Sequence, residues 1–314
     1  MRTRVAEPDE RRRGAQLAAR EIRDRVHDEL RSVGRRIDVG TRTGMLLDLD
    51  GFTRGLLDEI DGLVGSGAIS PWLRPRIASD DAPLPALTQA LRVGIFPVAG
   101  NPLHWGHLAC ALLAIARLRL DTVVIVIAGS DGRKPHLMSE ALRHDMARVC
   151  LARFEPYLAY SPIARDSDLD GEANLFKLLA LNPRQRIDAV YLAGNDHCRR
   201  FDPDTGQADT IEKLEHHIAN EAFGYDWRMH RVSAAFFERE PMWNMPRSLV
   251  PLTLLPGPPI RVSSTRIREA VAAGRSDPVL MALPHALFPF LWDRQPEAMG
   301  DEPLLSGALP SGCG

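Results

Sequence analysis

"VGIFPVAGNPLHWGHLACALLAIA", residues 93–116, joins a short apolar run to a long one through a turn that holds two histidines three residues apart. Val93, Ile95 and Phe96 read as a buried strand, and the unbroken apolar run from Leu108 reads as a helix. His104 and His107 therefore fall at a strand-to-helix junction. In an α/β sheet such junctions lie outside the carboxyl ends of the strands, where ligands bind. The free N–H groups of a helix start form an anion site, and Gly106 lets a ligand come close to the backbone. A metal pair would need a third ligand at suitable spacing, and none stands nearby. The pair reads as a handler of phosphate.

Working outward, "DTVVIVIAG" (121–129) and "DAVYLAG" (188–194) are further strand-like runs. "HLACALLAIARLRL" (107–120) and "SEALRHDMARVCLARF" (139–154) read as the helices between them. Strands alternating with helices of this length predict βαβ units and a parallel sheet covered on both faces. The first 90 residues differ in texture. "RRRGAQLAAREIRDRVHDELRSVGRR" (11–36) is a charged helix with one narrow apolar stripe, Leu17, Ile22, Val26, Leu30 and Val33, so it packs on something else. A second helix, "GFTRGLLDEIDGLVGSG" (51–67), and a Pro- and Asp-containing linker (70–85) follow. Within this region "MLLDLDGFTRG" (45–55) imitates the D-x-D-G opening of haloacid-dehalogenase phosphatases, with Asp48 and Asp50 as nucleophile and acid. The second α/β pattern begins by residue 91, too soon for that fold to complete its own sheet.

Composition narrows the classes. With 314 residues, 45% hydrophobic and 25% charged, the chain can bury one large core. A net charge of −2 gives no electrostatic reason to bind nucleic acid or an anionic membrane. The four cysteines are widely spaced with no C-x-x-C pair, the N-terminus has no apolar signal region, and no apolar stretch is long enough to span a bilayer. The expectation is a cytoplasmic protein that acts on small molecules.

A second phosphate-type constellation is "IRVSSTRIREAVAAGRS" (260–276). Ser263, Ser264 and Thr265 are N-cap candidates for the helix that follows. Arg266 and Arg268 stand in its first turn, where the helix dipole disfavours each exposed cation by roughly 0.3–1 kcal/mol. A bound anion would remove the conflict.

Together, His104-Trp105-Gly106-His107 and Ser263-Ser264-Thr265-Arg266-Ile267-Arg268 resemble the H-x-G-H and S-S-T-x-I-R signatures of the nucleotidylyltransferase superfamily. Within it, "GNPLHWGHL", "RKPHLMSEALRHDMARVCL", "VYLAGNDHCRRF" and the stretch through "LPHALFPFL" are similar to the nicotinate/nicotinamide mononucleotide adenylyltransferases. The resemblance covers roughly residues 91–292. It implies a Rossmann-like, doubly wound parallel sheet there, preceded by a helical N-terminal extension and linker (1–90) and followed by a flexible tail (293–314). It further implies transfer of a nucleoside monophosphate, AMP from ATP, to the phosphate of a mononucleotide, with pyrophosphate leaving. His104 and His107 would be catalytic. Phe96, Asn101, Gly106, Ser263, Ser264, Thr265, Arg266 and Arg268 would hold the nucleotide, and Val98, Lys134, Gly194 and Asp196 the acceptor. Magnesium would ride on the triphosphate, with no metal ligand from protein side chains. The chain leaves the family pattern at Val98, where glycine is usual, and at Lys134, which precedes its histidine instead of following it. Both departures fall where acceptor contacts are expected. The donor base (ATP or CTP) stays open, as does the acceptor, with phosphopantetheine, a flavin or a phosphonate as alternatives. A non-catalytic nucleotide-binding module and a homo-oligomer formed through the N-terminal helices stay open as well.

Overall fold

The computed structural model describes residues 8–35, 41–81, 89–129, 137–202, 206–239, 241, 244–259 and 262–292, without the side chains of 41–44, 276–277 and 292. The expected tail, 293–314, and Lys134 lie outside these residues. Two long helices open the chain, α1 (Pro8–Gly34) and α2 (Thr41–Gly65). A βα alternation follows: β1 (Leu91–Val98), α3 (Trp105–Leu118), β2 (Thr122–Ile127), α4 (Glu140–Leu151), β3 (Leu158–Ser161), α5 (Gly171–Ala180) and β4 (Ile187–Gly194). A two-residue-per-strand hairpin, β5 (Phe201–Asp202) and β6 (Gln207–Ala208), leads into α6 (Thr210–Ala219). The chain then forms β7 (His230–Phe237), β8 (Leu252–Leu255), α7 (Ser264–Ala272), α8 (Ser276–Ala282) and α9 (Pro289–Trp292).

The main sheet has the order β3-β2-β1-β4-β7-β8, and every pairing is parallel. This is a doubly wound, Rossmann-like α/β sheet. Strand order reverses between β1 and β4, so a crevice opens beyond their carboxyl ends. Side chains alternate between two cores as the strand period of two requires. Phe96, Val123, Ile125 and Phe237 face one, and Val93, Ile95, Val124 and Phe236 face the other.

Helix α3 is apolar on every side, and the fold explains why. One face lies on β1 and β2, and the opposite face is covered by α2. A helix that is hydrophobic all round is a buried helix, and here the N-terminal hairpin does the burying. Residues of α1 and α2 accordingly belong to the same core as α3 and α4. Polar bonds reinforce the join. The Tyr157 hydroxyl donates to the Ala15 carbonyl at 2.6 Å. The buried Glu29 carboxylate accepts from Arg153 and from the backbone of His285.

Two local expectations are corrected. Leu17, assigned to the buried stripe of α1, is 57% exposed, and Ala15 and Ala19 take its place. Small side chains at that end let α1 and α2 approach closely. The second helix begins at Thr41, ten residues earlier than its pattern suggested. Asp48 and Asp50 therefore sit inside a helix, where a phosphatase nucleophile at a strand end has no counterpart. Asp50 instead accepts from His27 at 3.0 Å and pairs with Arg54 at 3.2 Å.

Candidate functional site

The loop between β1 and α3 sets the site. Gly100 adopts φ +59, and a Cβ there would lie 2.8 Å from the Ile127 side chain, so glycine makes this turn with least strain. Arg143, 1% exposed, holds the neighbouring loops in place. Its guanidinium donates to the carbonyls of Ala99 (2.7 Å), Ala128 (2.6 Å), Gly129 (2.9 Å) and Met138 (3.1 Å). Asn101, also buried, accepts from Met138 N at 2.8 Å through Oδ1.

The two histidines form a capping box made of imidazoles. His104 is the N-cap of α3, and its Nδ1 accepts from Gly106 N at 3.1 Å. His107 Nδ1 accepts from His104 N at 3.3 Å. A ring nitrogen that accepts carries no proton, so each neutral ring keeps its proton on Nε2 as a donor. The rings stack with centroids 3.8 Å apart. Burial lowers the pKa of both, with the Arg239 charge adding to it. His104 falls well below the usual imidazole value, pushed further by His107, and His107 falls to about 3. Both are neutral donors at physiological pH. Gly106 leaves room for this packing, since a Cβ there would meet the His104 ring at 3.0 Å.

Two cavities open at this point and share one wall of Phe96, His107 and Arg239. The first, about 690 Å³, is bounded by His104, Gly106, Ser263, Ser264 and Arg266. Helix α7 is stitched onto the β1–α3 loop beside it. Ser264 Oγ donates to the Pro102 carbonyl at 3.2 Å, and Arg268 donates to the Asn101 carbonyl at 3.0 Å. Ser263 caps the helix by accepting from Arg266 N. Thr265 and Arg268 do not line the cavity. Arg268 reaches Thr265 Oγ1 at 3.4 Å, so its fork serves to dock α7.

The second cavity, about 710 Å³, lies over the starts of α5 and α6. Val98 and Gly194, at the ends of β1 and β4, both line it. Asp196 lies just outside, paired with Arg239 at 3.3 Å and with His197 at 3.7 Å. His197 is pushed up from the usual imidazole range by its bond to Asp209, despite burial. Desolvation would raise the Asp209 carboxyl, but His197 and Arg199 draw it down to about 2. Trp227 is exposed and stacks under Arg228, and it lines neither cavity.

Sequence reading missed three residues here. Arg239 stands two residues beyond the apolar end of β7, and a cation just past that strand end was the available signal. Arg143 sits mid-helix among other arginines, and only tertiary structure separates a buried guanidinium from a surface one. Glu172, second residue of α5, carries no motif; it is buried in the wall of the second cavity.

Known proteins similar to this chain fit the same picture. No protein-family model matches it. It is 27% identical over 201 residues to a probable nicotinate-nucleotide adenylyltransferase of Roseiflexus sp. (strain RS-1), covering 63% of this chain and 94% of that protein. A protein of the same name from Roseiflexus castenholzii (strain DSM 13941 / HLO8) is 28% identical over 64% of this chain and 94% of its own length. Another from Mycobacterium avium (strain 104) is 26% identical, covering 62% and 87%. Among solved structures, a Plasmodium falciparum nicotinic acid mononucleotide adenylyltransferase complexed with NaAD matches with TM-score 0.39 and 14% identity, over 58% of this chain and 84% of that one. The fold assignment rests on the strand order itself, and what the sequence relatives contribute is a shared name at distant identity.

Proposed function

We propose that this chain is an adenylyltransferase that joins AMP from ATP to the phosphate of a mononucleotide such as nicotinate or nicotinamide mononucleotide. The observation that carries the reading is the pair of cavities meeting at His107, Phe96 and Arg239. A transfer between two bound phosphates needs two adjoining pockets with donors at their junction. The named relatives support the same reaction.

In this reading the triphosphate lies in the α7-side cavity, along the starts of α3 and α7, and the acceptor lies in the α5-side cavity. An acceptor phosphate oxygen attacks the α-phosphorus, the α–β bridging P–O bond breaks, and pyrophosphate leaves with that bond's electron pair. No covalent intermediate on the protein is required. Phosphoryl-type transfer asks a protein for positioning and charge stabilisation. The Nε2–H groups of His104 and His107 donate to the phosphate oxygens, and Arg239 adds positive charge where the reactants meet. Ser263, Ser264 and Arg266 bind the outer phosphates, while Arg268 and Asn101 hold the loop and α7 together. Magnesium, carried by the triphosphate, would supply charge neutralisation there.

The test is a panel: pyrophosphate release from ATP, CTP and GTP, each against several phosphorylated acceptors. Release with ATP and a pyridine mononucleotide, together with one dinucleotide per pyrophosphate, is expected. Absence of release with every pair would overturn the reading in favour of a binding module.

A further inference from the structure

The acceptor-side cavity is lined by carboxylates and amide oxygen, and this bears on what its occupant presents. From α5 and the loop before it come Asp168, Asp170, Glu172 and Asn174; Asp202 and Asp209 close the other side. The nearby cations are already engaged. Lys213 pairs with Asp170 at 3.2 Å, Arg199 with Asp209 at 2.6 Å and Asp202 at 3.5 Å, and His197 stands 3.7 Å from Asp209.

Glu172 is 5% exposed and has no cationic partner among the described residues. Its Oε1 accepts from the Tyr191 hydroxyl at 2.9 Å and from Thr210 Oγ1 at 2.6 Å. Asn174, 1% exposed, donates through Nδ2 to the Leu169 and Asp170 carbonyls, at 3.1 and 2.9 Å. That leaves its Oδ1 buried with no donor among the described residues. An orphaned buried acceptor calls for a hydrogen-bond donor. The α5 start would otherwise be an anion site, but its positive end is occupied. Asp170 caps it, accepting from Ala173 N at 2.8 Å, and Glu172 adds a second carboxylate in the first turn.

Resting on the transfer reaction proposed above, we infer that this cavity selects a mononucleotide whose cationic ring bears a hydrogen-bond-donating group, a carboxamide, over one whose ring bears a carboxylate. With the acceptor phosphate at His107 and Arg239, the ring extends toward Val98, Tyr191 and α5. A carboxamide N–H there is met by Glu172 and Asn174 Oδ1, and the pyridinium charge by the surrounding acids. A carboxylate at the same point neutralises the ring and faces the buried Glu172 with like charge. The preference differs from the acid form in the relatives' names.

The experiment compares kcat/KM for two pyridine mononucleotides that differ only in carboxamide versus carboxylate, with saturating ATP, in the full chain and in Glu172→Gln. The wild type is expected to favour the carboxamide acceptor by at least tenfold, and E172Q to shrink that ratio at least fivefold by improving use of the carboxylate acceptor. Asp168→Asn, an exposed change that does not threaten folding, is expected to shift the ratio the same way by a smaller factor. Turnover with the carboxylate acceptor preferred would overturn this inference and leave the transfer reaction standing. Unchanged ratios in two folded variants would also overturn it. No pyrophosphate with either acceptor would overturn the transfer reaction and this inference with it.

Discussion

Each imidazole of the capping box spends Nδ1 on a backbone N–H and so offers Nε2–H to the cavity. In the proposed reaction these two neutral Nε2–H groups would donate to phosphate oxygens at neutral pH. The same burial makes the site acid-sensitive. His107 titrates at about 3 folded and about 6.5 unfolded, so between those values the unfolded chain binds more protons. Stability is then full above pH 6.5 and falls as pH drops through the window. From pH 6.5 to 5 the loss is up to about 2 kcal/mol. Urea unfolding at the two pH values should show it, and in His107→Gln the pH-dependent loss should shrink by about that amount; an equal loss in the variant would contradict the assignment. The two histidines were legible as residues from their spacing and the flanking pattern. Their neutral, Nε2-protonated state was not, because it follows from burial and from backbone N–H groups brought close by the loop.

At the scale of elements, α7 carries residues proposed to hold the triphosphate. It touches the β1–α3 loop through Ser264 and Arg268, whose partners are carbonyls of Pro102 and Asn101. Losing the charged donor of such a bond costs roughly 1.5–3 kcal/mol. Arg268→Ala should therefore raise the KM for ATP by about 10- to 100-fold, with the acceptor KM changing much less. Steady-state kinetics with each substrate varied would check this, and a rise confined to the acceptor KM would show that α7 serves the other cavity. Strand and helix identities could be read from β-branched runs and the S-S-T cap, because those signals are local. The stripe of α1 could not be read correctly at Leu17, and α2 started early, because both helices are shaped by packing against each other. Glu172 on α5 left no trace in any motif, since its meaning depends on Tyr191 and Thr210 arriving from distant segments.

In the molecule as a whole, the parallel sheet brings the starts of α3, α5, α6 and α7 to one edge, and the N-terminal hairpin covers the otherwise exposed outer face of α3. That α3 needed a cover was visible in its all-round apolar sequence, whereas the identity of the cover required the tertiary structure. In the proposed reaction donor and acceptor occupy adjoining cavities and react across His107. The most direct measurement is the yield of dinucleotide and pyrophosphate from ATP and a pyridine mononucleotide, in the wild type and in His107→Ala, with ATP binding measured in parallel by calorimetry. The wild type should give both products in equal amounts. H107A should lose about 10²- to 10³-fold in kcat, the effect of removing one preorganised donor, while ATP still binds. Wild-type turnover in H107A, or pyrophosphate formed without dinucleotide, would contradict the account.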